Sequence, residues 1–188
     1  MAEAATKRRA ADNKAPRKPK WHLLQPKLNL HIRRLKNHDL FTVQNFFLTA
    51  ESKALIKAAK STGFEHQGSL GPAKGEAYRN NDRISVNDPA LADMVWQSGL
   101  SKLFSDIKIR GRVAVGLNPN IMFYRYKIGQ HFGRHIGESV DLGKEKRTVA
   151  PAEGMVLLHI HGDKCMLHEA RNVSNGIKYV FRSDVVFA

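Results

Sequence analysis

Two stretches of the chain carry apolar residues at helical spacing. The first, "LTAESKALIKAAKSTGF", has Thr49 as its expected N-cap and Gly63 as its expected end. The second, "NDPALADMVWQSGL", has Asp88 as a cap, a proline at the first helical position and Gly99 at its end. Between them, "GSLGPAKGEAYRNNDRIS" is polar and rich in turn residues. The pattern predicts two helices joined by a long surface loop.

After Gly111 the pattern changes to that of strands. "RVAVGLNPNIMFYRY" is rich in Val, Ile, Phe and Tyr and is interrupted by "NPN", while "GMVLLHIHG" is a short apolar run typical of a buried strand. The order of these elements predicts helices first and a β-rich half second. We therefore expect an α+β fold with a sheet sandwich or barrel.

The last strand candidate, "GIKYVFRSDVVF", alternates. One face carries Ile177, Tyr179 and Phe181, and the other carries Lys178, Val180 and Arg182. Two cations on one face of a buried strand are costly unless an anion meets them. The alternation therefore indicates a carboxylate or phosphate ligand, and the alternative is a strand with one solvated face.

Composition narrows the class of protein. The chain has 188 residues and 42 % hydrophobic residues, enough for one domain with a core, and no apolar run of the length that a membrane span needs. It begins without the apolar stretch of a signal peptide and contains a single cysteine, Cys165. We expect an intracellular protein, in the cytoplasm or nucleus, that does not contact membranes.

The formal net charge is +14, and part of it is local. Residues 1–20 hold seven lysines and arginines against two acidic residues and are predicted to be a basic disordered tail. The tail is typical of a nuclear-import signal, a phosphate-binding arm or a solubilising extension, and nucleic acid is one partner it would suit.

The histidines are the candidate metal ligands. His131 and His135 have the spacing of a helical zinc site, but "GQHFGRH" contains two glycines and no glutamate after the first histidine, which argues against one. His159 and His161 would share a strand face. His135 follows an aromatic strand and His168 lies ten residues before Lys178. Iron(II) oxygenases use two histidines and one carboxylate, leaving positions for substrate and oxygen.

Two segments, "FYRYKIGQHFGRHIGES" and "APAEGMVLLHIHGDKCMLHEARNVSNGIKYVFRSDVVF", resemble the catalytic core of the 2-oxoglutarate/iron(II) dioxygenases, in the prolyl 4-hydroxylase-like branch. The resemblance implies one domain over residues 21–188. Its helical part, about 41–110, would pack on a double-stranded β-helix (jelly-roll) core, about 111–188. It also implies that iron(II) and 2-oxoglutarate are cofactors, with ascorbate as an activator and a peptide or protein as substrate.

The resemblance carries over to single residues. His135 and His168 match the two histidine ligands of the metal, and Lys178 matches the residue that binds the far carboxylate of 2-oxoglutarate. Arg182, on the same strand face, is a second candidate for that carboxylate, and Tyr126 matches a tyrosine that lines the cofactor pocket. No catalytic residue is expected beyond the metal site.

The chain departs from the family in two places. Gly137 stands where the family has the aspartate ligand; Glu138 would point to the other strand face, and Asp141 is further away. Halogenases of the superfamily also have a small residue there, where chloride binds the iron. His168 lies only 33 positions after His135, so some central strands are expected to be missing. The alternatives are an inactive family member that acts as a binding or regulatory module, or a nucleic-acid demethylase.

Overall fold

The protein is built mostly from antiparallel β-strands, with two short helices. The computed structural model describes residues 21–68, 77–135, 148–161 and 168–188, with the backbone alone at 134 and 135. The strands are β1 His31–Lys36, β2 Leu40–Gln44, β3 Glu65–Gly68, β4 Arg79–Asn87, β5 Lys108–Ile109, β6 Arg112–Leu117, β7 Asn120–Tyr126, β8 His131–His135, β9 Val156–His159, β10 His168–Ala170, β11 Lys178–Arg182 and β12 Val185–Phe187. The helices are α1 Thr49–Thr62 and α2 Pro89–Val95, the latter continued by a π-turn at Trp96–Leu100 and a single turn at Ser101–Leu103.

The strands of the described ranges form three sheets. The largest has the order β10-β8-β4-β7-β11, with β3 added beside β4. The other two are β1-β2-β9 and β12-β6-β5. All the pairings between these strands are antiparallel. This architecture confirms a β-rich fold, and β6, β7, β9 and β11 lie where the sequence predicted strands.

The expected order of helices first and strands second is wrong, because β1 to β4 all precede α2. The predicted surface loop between the helices is wrong at both its ends: Gly68 ends β3, and residues 79–85 belong to β4. Its middle, residues 69–76, lies outside the described residues. The polar residues of β4 are typical of a loop, and for this reason the sequence pattern did not predict a strand. In the sheet they have partners on neighbouring strands: Asp82 lies opposite Arg125 in β7.

Helix α1 begins one residue earlier than predicted. Its N-cap is Leu48, whose backbone N–H donates to Glu51 Oε2 at 2.8 Å. A carboxylate in the first turn, rather than the hydroxyl of Thr49, therefore caps the start of the helix. The predicted end at Gly63 is confirmed, with φ at +97°. A glycine is favoured there because other residues rarely adopt positive φ.

Helix α2 begins as predicted. Asp88 Oδ1 accepts a hydrogen bond from the Leu91 N–H at 3.0 Å, and Pro89 occupies the first helical position. The predicted end at Gly99 is wrong, because the chain passes through the π-turn there and makes one more helical turn. Trp21 Nε1 donates to Asp88 Oδ2 at 2.6 Å, which ties residues before β1 to this helix.

The apolar core lies on one face of the largest sheet. Ile84, Ile121 and Phe123 of that face belong to the same buried cluster as Leu55 of α1 and Leu91 of α2. The opposite face of β7 and β11 carries the even-numbered residues. The helices therefore leave that second face available for chemistry.

No helix in the described ranges combines the length and the apolar character that crossing a bilayer requires.

Candidate anion and metal site

The strand register places the predicted cofactor-binding residues on one side of the largest sheet. Lys178 of β11 lies opposite Tyr126 of β7, and Val180 lies opposite Tyr124. Tyr124 in turn lies opposite Arg83 of β4. Directly opposed residues of antiparallel strands project to the same side. We call this side the cationic face and define it by Arg79, Arg83, Tyr124, Tyr126, Lys178 and Arg182.

Lys178, in β11, is a half-buried ammonium group on the cationic face. Its Nζ lies 4.7 Å from the centroid of the Tyr126 ring, a cation–π contact. Burial lowers the pKa of Lys178 below its ordinary value. In the described part of the chain it forms no ion pair with a carboxylate. A desolvated cation of this kind gains most from an anionic ligand.

Tyr126 supplies a neutral hydrogen-bond donor beside that ammonium group. Its side chain is 4 % exposed, and burial, followed by the neighbouring Tyr124, raises its pKa to about 12, although Arg79 acts in the opposite sense. The phenol therefore keeps its proton at neutral pH. A donor and a cation placed together suit a carboxylate, which accepts from both.

Arg182 shares the cationic face but differs from Lys178 in its surroundings. Its guanidinium is 3.7 Å from Asp184 Oδ1, and both side chains are about half exposed, at 47 % and 52 %. A solvated cation with a carboxylate partner has less to gain from a further anion. Of the two sequence candidates, Lys178 is the better placed for a ligand carboxylate.

The two predicted histidine ligands lie on neighbouring strands. The register of β10 and β8 sets His168 opposite His135. Because β8 is a strand, the spacing of His131 and His135 does not produce a helical zinc motif, as expected. The predicted third position, Gly137, lies outside the described residues, as do Glu138, Asp141 and Cys165.

The sequence predicted that His159 and His161 share a strand face, but it did not predict that they lie near His168. The ring of His159 lies 5.0 Å from that of His168 and 4.6 Å from that of His161, measured between centroids. Burial first, then the two neighbouring imidazoles, lower the pKa of His159 to about 4. Neutral imidazole is the form that binds metals. Within the described ranges, however, no three His, Cys, Asp or Glu side chains are arranged to hold a metal ion.

A buried carboxylate, Asp82, balances the charge on the other side of the sheet. It accepts from Arg125 Nε at 2.8 Å and lies 2.9 Å from His66 Nδ1 and 3.4 Å from Lys127 Nζ. Burial raises its pKa, but these partners together outweigh burial and the pKa is lowered. Sequence patterns did not single out Asp82, because its partners lie in two distant segments: His66 in β3, and Arg125 and Lys127 in and just after β7.

On the cationic face, Glu65 lies opposite Arg83 in the register, yet no ion pair joins them within the described residues. The two sides of the sheet therefore differ: on one, Asp82 offsets part of the positive charge of Arg125 and Lys127, and on the other, Lys178 and Arg83 have no carboxylate partner among the described residues.

Comparison of the chain with models of protein families and with curated proteins gives no match.

Proposed function

We propose that this protein is a 2-oxoglutarate- and iron(II)-dependent dioxygenase of prolyl 4-hydroxylase type, with a double-stranded β-helix core. One observation carries the proposal: Lys178, a half-buried lysine with no carboxylate partner in the part of the chain that the structure describes, faces Tyr126 in the sheet that also sets His168 opposite His135. This combination provides an anion-binding lysine and two imidazole-bearing positions in one sheet. We further propose an intracellular location, cytoplasmic or nuclear, and a peptide or protein substrate.

The described residues fit 2-oxoglutarate well. The far carboxylate of the cofactor would bind Lys178, and the protonated phenol of Tyr126 would donate a second hydrogen bond. Burial of both side chains excludes water from that carboxylate, which strengthens the ion pair. Arg182 would contribute to the field around the site while remaining paired to Asp184.

The fit to iron(II) is incomplete. His135 and His168 would hold the metal, and the third ligand of a facial triad is expected to be a carboxylate, where this chain has Gly137. Loss of an anionic ligand weakens the binding of a divalent cation. When bound, iron(II) and 2-oxoglutarate would activate dioxygen for C–H hydroxylation: one oxygen atom would enter the substrate hydroxyl and the other succinate, with carbon dioxide released and ascorbate as an activator. We therefore propose a site with reduced iron affinity and impaired turnover.

The proposal is tested by anaerobic titration of the purified chain with iron(II) and 2-oxoglutarate, followed through the visible charge-transfer band of the chelated keto acid. We expect a saturable band. Lys178→Met should raise the Kd for 2-oxoglutarate by about tenfold to a hundredfold, since it removes a charge-assisted hydrogen bond. Lys108→Met, in β5 and away from the cationic face, is the matched control and should leave the Kd unchanged.

The pH dependence of the same titration provides a second test of the role of Lys178. The ammonium form of Lys178 binds the carboxylate, and burial lowers its pKa below the ordinary 10.5. Affinity should therefore be full below that lowered pKa and fall as the pH rises through it. In Lys178→Met this alkaline loss should disappear.

A folded chain that gives no band would contradict the dioxygenase proposal. The absence of the aspartate ligand then favours the second candidate, a family member that has lost catalysis and serves as a binding or regulatory module. A band that requires chloride would instead favour the halogenase alternative.

A further inference from the structure

A surface groove lies between the β1-β2-β9 sheet and the segment that follows α2, away from the cationic face. Its volume is about 330 Å³. The apolar lining comes from β1, β2, the segment before β1 and the turn at residues 101–107, and consists of Leu28, Leu30, Ile32, Phe41, Leu103 and Ile107. We call it the β1 groove. Leu28 is 73 % exposed beside it, so apolar surface is left open to solvent there.

Strand β1 forms one edge of the β1 groove and also an edge of its sheet. In the described part of the chain it pairs with β2 alone. Its outer edge therefore presents backbone N–H and C=O groups that a further strand could pair with. An open edge beside an apolar groove is the arrangement in which extended peptides bind by adding a strand.

The charge around the β1 groove is positive. Arg34 and Lys102 lie at its rim, and Arg33 and Lys36 project from the other face of β1. None of these four forms an ion pair with a carboxylate in the described ranges. Arg34 Nη1 contacts His38 Nδ1 at 3.1 Å, and Asp106 is the acidic residue of the lining.

Positive charge on an edge strand has a simpler role, which is to prevent pairing between copies of a protein. That role accounts for Arg33, Arg34 and Lys36 but not for the exposed apolar lining beside them. A partner with acidic and apolar residues would use both features.

We propose that the β1 groove binds an extended protein segment in which apolar and acidic residues alternate, added as a strand beside β1. Alternate side chains of a strand point to opposite faces. The apolar side chains would enter the groove on the face of Ile32, and the acidic ones would meet Arg33 and Lys36 on the other face. This surface is independent of the dioxygenase site, so each proposal can fail alone.

The test is a fluorescence-anisotropy titration of the full chain with a labelled octapeptide, Asp-Val-Glu-Val-Asp-Val-Glu-Val. We expect saturable binding. Three matched probes separate the contributions. A block-ordered peptide of the same composition keeps the charge but loses the alternation, a version methylated at alternate backbone nitrogens loses strand pairing, and octathymidylate offers negative charge alone. Each should bind at least tenfold more weakly.

Variants locate the surface. Arg33→Glu combined with Lys36→Glu should weaken the octapeptide at least tenfold, because attraction becomes repulsion on one face of β1. Lys53→Glu combined with Lys57→Glu makes the same change in net charge on the exposed side of α1 and should have less than a twofold effect. Leu28→Asp tests the groove on an exposed side chain, so folding should be retained while binding falls at least fivefold.

Several outcomes would overturn the proposal. They are no saturable binding of the octapeptide, binding of the block-ordered or methylated peptide as tightly as the parent, and tighter binding of octathymidylate. Self-association of the chain that Leu28→Asp abolishes would assign the β1 groove to a second copy instead.

Discussion

Glu51 shows how one side chain can organise several segments of this protein. It is 2 % exposed and accepts hydrogen bonds from Lys27 Nζ, from the backbone of Gln25 and from the backbone of Leu48, at 2.7, 2.7 and 2.8 Å. Removing its charge leaves the buried ammonium group of Lys27 without a counter-ion among the described residues. We expect Glu51→Gln to lower the free energy of unfolding by about 3 kcal/mol, measured by urea denaturation. Glu65→Gln, on an exposed carboxylate, should change it by less than about 0.5 kcal/mol.

The same carboxylate gives a pH dependence of stability. Burial raises the pKa of Glu51, but the hydrogen bonds and the charge of Lys27 outweigh burial, so the folded-state pKa lies below the ordinary 4.5. Its contribution to stability is therefore complete above about pH 4.5 and is lost as the pH falls towards the folded-state pKa. The difference in stability between the parent and Glu51→Gln should shrink on acidification through that window. A difference that stayed constant down to pH 3 would contradict this assignment.

At the residue scale, the sequence predicted roles that depend on neighbouring residues, but it did not predict contacts with residues distant in the chain. Asp88 as a helix cap and the facing of Lys178 were predicted, because capping and strand alternation depend on neighbours in sequence. Glu51 and Asp82 were not, since each is buried by contacts with residues more than ten positions away. The roles of His135, His168 and Lys178 towards cofactors stay predictions.

Gly154 lies in a turn of residues 153 and 154, just before β9, that touches the chain ahead of α1. Its φ is +70°, its carbonyl accepts from the Phe47 N–H at 3.0 Å, and a Cβ there would overlap the Phe47 carbonyl oxygen. Gly176 has the same φ with open space around it. Gly176→Ala should lower the free energy of unfolding by about 1 kcal/mol, because only the cost of a positive φ applies there. Gly154→Ala should cost at least about 2 kcal/mol more, since the backbone must also move. Thermal denaturation of the two variants checks the difference, and equal losses would show that the turn relaxes freely.

The elements that sequence patterns missed have a common physical cause. Strand β4 carries Asn80, Asn81 and Asp82 near its start, a polar sequence that resembles a turn when taken alone. In the sheet, the Asp82 carboxylate is neutralised by Arg125 of β7, and Gln130 Nε2 donates to Asn80 Oδ1 at 3.3 Å. Tertiary pairing therefore stabilises a segment whose local propensity disfavours a strand. Helix α2 was easier because its start is fixed by its own Asp88 and Pro89.

For the molecule as a whole, the two helices and the β-rich second half were predictable from periodicity, but β1 to β4 and the joining of strands into sheets were not. The largest sheet brings together β4, β7, β8, β10 and β11, which are spread over about a hundred residues of the chain. No local pattern specifies such pairings, and the expected loss of central strands falls between His135 and His168, mostly outside the described residues. The jelly-roll topology accordingly stays a proposal.

The net charge of +14 belongs to the whole chain, and polyanion binding can be measured separately for the basic tail and for the rest of the protein. We expect nonspecific binding to duplex DNA whose affinity falls steeply with salt, because each phosphate contact releases counterions. Replacing the lysines and arginines of residues 1–20 by serine keeps the length and removes seven cations. The slope of log K against log salt should then flatten by about 0.9 for every tail cation that contacts a phosphate. An unchanged slope would assign DNA binding to the folded domain, where Arg33, Lys36 and Arg83 carry charge that the described residues do not neutralise.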